Sequence, residues 1–63
     1  MTWELYEVWA EDDDGHQDLI DTTKSLKEAR QLGNKALGDG AVIVTIYRET
    51  ADGDFEEIDQ LTK

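Results

Sequence analysis

The chain reads as a small α+β domain of order β-β-α-β-β. Two hairpins form a four-stranded antiparallel sheet, and one helix packs on one face of it. Three observations predict this. Residues 2–10, TWELYEVWA, and 41–49, AVIVTIYRE, have the aromatic and β-branched composition of strands. Each is followed by an acidic Asp-Gly turn and a second, shorter apolar run, DLIDTT or FEEIDQL. Between these pairs lies one stretch of helical spacing: Leu26, Ala29, Gly33, Ala36 and Leu37.

The elements follow in order. The first hairpin spans 2–23 and turns through DDDGHQ, where Gly15 supplies the positive φ of a tight turn. The helix spans 25–37. Ser25 with Glu28 three residues on forms a capping box, and Gly38 stands where a C-terminal glycine cap belongs. Gly33 inside the helix costs about 1 kcal/mol against alanine, which implies close approach to bulky sheet residues. The second hairpin spans 41–61 and turns through TADGD. With 63 residues and no proline, the chain is long enough for this one domain alone.

The hairpins resemble each other at an offset of 38 positions. Val8 falls on Ile46, Trp9 on Tyr47, Glu11 on Glu49, Asp14 on Asp52, Gly15 on Gly53, Ile20 on Ile58 and Asp21 on Asp59. Two explanations stand. Acidic Asp-Gly hairpins select similar residues, or one hairpin was duplicated. Both give the same architecture.

Bulk properties exclude several functions. The net charge is −10 and the pI about 4.1, opposite to what phosphate backbones and anionic membranes require. No apolar run approaches the roughly 18 residues of a membrane span. The start, MTWELYEVW, lacks the basic region of a signal peptide, so a cytoplasmic location is expected. There is no cysteine, hence no disulfide framework, thiolate metal site or thiol nucleophile.

The stretch 11–18, EDDDGHQD, invites a metal reading, since five carboxylates surround the chain's single histidine. Placed on a calcium-loop template with Gly15 at position 6, Asp12 and Asp14 fit. Position 1 is then Ala10 and position 12 is Asp21, and the flanks read as strands. One histidine without cysteine also falls short of a zinc set. The shared Glu, Asp and Gly of the second loop mark these as hairpin residues, with His16 an exposed turn residue. No metal site and no cofactor are expected. Nor is catalysis: Ser25, the sole serine, is a helix cap, and one helix on a small sheet leaves little room to tune paired carboxylates. The glycines at 38 and 40 follow a helix instead of opening one, the wrong polarity for a phosphate cradle.

Two features exceed what folding needs. Residues 24–37 carry Lys24, Lys27, Arg30 and Lys35 against Glu28, a net of +3, whereas the other fifteen acids stand against Arg48 and Lys63, a net of −13. Ordinary solubility or adaptation to a salty medium accounts for this, and so does an acidic surface for a basic partner. Second, apolar residues occupy both sheet faces. One set is Tyr6, Val8, Ile20, Val42, Val44, Ile46 and Ile58; the other is Trp3, Leu5, Trp9, Leu19, Ile43, Tyr47, Phe55 and Leu61. One helix covers one face, expected to be the β-branched set. The other face then holds Trp3, Trp9, Tyr47 and Phe55 as anchors, with Glu7, Glu57 and Asp59 setting charge preference. The expected function is non-catalytic protein binding through this face, to a foreign partner or to itself as a homodimer. The alternative is an acidic mimic of nucleic acid that inhibits a DNA- or RNA-binding protein through Asp12, Asp13, Asp14, Asp18, Asp52, Asp54 and Glu56.

Overall fold

Residues 5–63 are described by a computed structural model; Trp3 lies outside them. The elements are β1 (Tyr6–Glu11), β2 (Gln17–Thr23), α1 (Leu26–Gly38), β3 (Ile43–Glu49) and β4 (Phe55–Thr62). All strand pairings are antiparallel, and the sheet order is β2-β1-β3-β4. The two hairpins thus meet through their first strands, leaving β2 and β4 as edges.

Helix α1 lies mainly over the central strands β1 and β3. It covers the β-branched face. Val8, Val44 and Ile46 are fully buried there, with Tyr6, Ala29 and Ala41 around them. Leu26, Leu32, Ala36, Leu37, Ile58 and Leu61 close the rim. Gly33 lets the helix settle onto this floor. A Cβ at that position would stand 2.9 Å from both Val44 Cγ1 and Leu61 Cδ1.

The helix ends differ in detail from the sequence expectation. Ser25 Oγ does accept the Glu28 backbone N–H, at 3.4 Å. The Glu28 carboxylate, however, does not return to Ser25. It accepts a 2.7 Å hydrogen bond from the Thr23 hydroxyl, whose oxygen accepts the Ser25 N–H at 3.3 Å. At the other end Gly38 is still helical, and the left-handed residue is Gly40, with φ of 122°. The Ala41 N–H reaches back to the Ala36 carbonyl and the Gly40 N–H to that of Leu37. This is the Schellman arrangement, displaced by two residues from the glycine that suggested it.

The likeness of the two hairpins reaches into their backbone geometry. Gly15 donates to the Asp12 carbonyl and Gly53 to that of Thr50; Asp12 N–H bonds His16 and Thr50 N–H bonds Asp54. The glycines have φ of 87° and 86°. Each hairpin also carries one β-bulge. Pairing skips Ile20 between Val8↔Asp21 and Trp9↔Leu19, and skips Ile58 between Ile46↔Asp59 and Tyr47↔Glu57. Both bulges sit at the same offset. Because Val8 also pairs directly with Ile46, an approximate two-fold axis runs through the sheet between these two buried residues. Turn chemistry dictates the glycines but not the bulges, which lie five residues beyond them.

The bulges also change which face some residues occupy. An extra residue inverts the alternation beyond it. In β4, Phe55 and Glu57 stand on the open face, but Asp59 and Leu61 stand on the helix side. Asp59 was expected beside the aromatics; instead its carboxylate ion-pairs with Arg30 of α1 at 2.9 Å. Leu61 was expected there too, and packs against the core.

Candidate functional site

The sheet face opposite α1 carries no covering element among the described residues. By alternation from the buried Tyr6, Val8, Val44 and Ile46, it presents Glu7, Trp9 and Glu11 from β1, with Leu5 just before it. Ile43, Thr45, Tyr47 and Glu49 come from β3. The edges add Gln17, Leu19 and Thr22 from β2, with Phe55, Glu57, Gln60 and Thr62 from β4. Leu19 and Phe55 are 44% and 41% exposed, large for apolar side chains. Trp9 and Tyr47 are half-buried, and Thr45, the cross-strand partner of Trp9, is buried.

The face has a shallow trough of about 250 Å³ lined by Glu7, Trp9, Gln17, Tyr47 and Phe55. Four residues expected to act together, Glu7, Trp9, Tyr47 and Phe55, are thereby brought to one place. Glu57 lies directly across from Tyr47 on the same face but outside the lining. Asp59 belongs to the other face. Sequence reasoning missed Gln17, which looked like part of the loop. The 38-residue offset held the signal, because Gln17 is the counterpart of Phe55 as Trp9 is of Tyr47. The trough is therefore lined by two pairs related by the approximate two-fold axis.

Electrostatically the face is one-signed. Glu7, Glu11, Glu49 and Glu57 stand on it, and no lysine or arginine occupies any of its described strand positions. The Trp9 indole N–H donates to Glu7 Oε1 at 3.1 Å, which orients the ring and holds the carboxylate at the trough wall. Gln17 Nε2 donates to Glu11 Oε1 at 3.0 Å across the hairpin. Both arginines are engaged elsewhere, Arg30 with Asp59 and Arg48 with Glu56 at 2.6 Å.

At the first hairpin tip, Asp12, Asp14 and His16 offer ligand atoms within 4.8 Å of one another. The cluster has a structural explanation. Asp12 Oδ1 accepts the backbone N–H groups of Asp14 (2.9 Å) and His16 (3.0 Å), tying the turn. The His16 amide is the chief reason that the Asp12 carboxyl titrates below its ordinary 3.8; desolvation opposes it, and the Asp14 amide and the His16 ring add to the lowering. His16 Nδ1 lies 3.6 Å from Asp12 Oδ2 on an exposed loop. One oxygen of Asp12 is thus committed to the backbone, and the remaining ligands are solvated side chains.

No family model, curated protein or solved structure matches the chain. Nor is any helix among the described residues long and apolar enough to cross a membrane.

Proposed function

We propose that the chain is a non-catalytic binding module that docks a basic protein partner on the sheet face opposite α1. The observation that carries this reading is the composition of that face: aromatic and aliphatic side chains around a trough, with carboxylates beside them and no basic residue among its described strand positions. Trp and Tyr are favoured interface anchors because they bury large area at small entropic cost. One-signed charge around them selects a partner of opposite sign. A second copy meeting this face would bring one acidic face against another, with Glu7, Glu11, Glu49 and Glu57 of each copy facing like charge. A foreign basic surface suits the face better than a homodimer.

Capture by the immobilised chain, compared with Trp9→Ser, tests it. The expected result is a basic protein retained by the wild type in low and high salt and lost by the variant. Molar mass in solution at two salt concentrations should stay at the 7.2 kDa of a monomer. A dimer persisting in high salt would mean that a second copy caps the face.

The second reading, an acidic mimic of nucleic acid, has its own observation. The two acidic tips, with Asp13, Asp14 and Asp18 on one and Asp52, Asp54 and Glu56 on the other, point to opposite ends of a body 38 Å long. Binding of that kind would collapse in high salt and ignore Trp9.

A further inference from the structure

The trough also constrains which cation it receives. Its volume, about 250 Å³, lies below the roughly 300–1,000 Å³ of small-molecule sites, and it is open along its length. It suits one long side chain from a partner better than a free ligand. The walls are planar rings plus one fixed carboxylate. The Trp9 indole spends its single donor on Glu7 Oε1, so its π-face is what remains to offer. Glu7 keeps its other oxygen, and no cation pairs with it among the described residues.

From this, and resting on the basic-partner reading above, we infer that the trough is a guanidinium site: it takes an arginine side chain of the partner, stacked on Trp9 and bonded to Glu7. A guanidinium is flat, weakly hydrated and forked. It stacks on an aromatic ring while donating in its own plane to a carboxylate. A lysine ammonium is a compact, strongly hydrated point charge, and an open trough does little to strip its water. Tyr47 and Phe55 line the apolar wall along which the aliphatic stem lies. The chain's own arginines are held by Asp59 and Glu56 on the helix side, so neither supplies the cation.

The test is a titration of the labelled protein with short oligoarginine, oligolysine and oligocitrulline peptides of equal length, followed through the Trp9 indole N–H and the backbone amides. Oligoarginine should bind about tenfold tighter than oligolysine, the margin of a partly desolvated cation–π contact. Oligocitrulline, of the same shape without the charge, should not bind. Trp9→Leu and Glu7→Gln should each erase the arginine preference, leaving weak, salt-sensitive binding equal for both peptides; unchanged amide spectra establish that each variant is folded. Equal affinity of the two cationic peptides for the wild type, with shifts on the open face, overturns the guanidinium assignment and leaves the basic-partner reading standing. Shifts confined to the tips, around Asp13, Asp14, Asp52 and Asp54, overturn both.

Discussion

Gly33 shows how a single position couples the helix to the sheet. Alanine there would gain about 1 kcal/mol of helix propensity. Its methyl, however, would press on Val44 Cγ1 and Leu61 Cδ1 at 2.9 Å. Leu61 Cδ1 is the far end of a flexible side chain and can move. Val44 is fully buried and β-branched, so it is stiff at χ1 and has nowhere to go. Overpacking, at about 1–3 kcal/mol, outweighs the propensity gain: Gly33→Ala should destabilise by about 1 kcal/mol net in urea unfolding. Asp12 gives a second prediction at this scale. Its folded-state pKa is depressed, so its contribution is present above the unfolded value near 3.8 and is lost as pH falls through the lower folded value. The amide protons of Asp14 and His16 should shift together in that acid range, and Asp12→Ala should abolish the joint transition.

Among elements, the helix start depends more on Thr23 than on its formal cap. The Ser25–Glu28 bond is long, at 3.4 Å, and exposed. The Thr23–Glu28 bond is 2.7 Å, charge-assisted and part-buried, and the same hydroxyl receives the Ser25 N–H. Ser25→Ala should therefore cost about 0.5 kcal/mol, the low end for caps, while Thr23→Val should cost about 1–2 kcal/mol. Thermal unfolding separates these, since 1 kcal/mol shifts the midpoint by about 4–8 °C in a domain this small. The Arg30–Asp59 pair joins the basic helix to the acidic edge strand. With side chains 54% and 28% exposed, it belongs with surface ion pairs, and breaking it should cost below about 1 kcal/mol.

For the whole molecule, a net charge of −10 on 63 residues makes self-repulsion a global term. Only three ion pairs are seen among the described residues, one of them dependent on histidine protonation. Added salt should therefore raise the melting temperature, most steeply at low ionic strength, where the screening length is longest. A midpoint independent of salt would mean that the acids are spaced too widely to repel. The approximate two-fold axis through Val8 and Ile46 matters at this scale too. It relates one hairpin to the other and so puts the two acidic tips at opposite ends.

Local chemistry made much of this legible in the sequence. Strand composition, Asp-Gly turns and the Ser25 cap are short-range signals, and each led to the element that forms. Alternation assembled the buried set Tyr6, Val8, Val44 and Ile46, and it grouped Trp9, Tyr47 and Phe55. The structure alone decided where alternation breaks. A bulge arises from how two strands pair, and nothing in FEEIDQL marks Ile58 as the extra residue. That one residue turns Asp59 from the aromatic face to Arg30 and Leu61 into the core. Gln17 was hidden for a related reason, since a residue beside a turn joins a strand only once its partner, here Glu11, holds it. The helix face was likewise settled by packing. Gly33 and Ala29 rest on a floor of β-branched side chains, and the broad aromatic rings on the reverse side are left open.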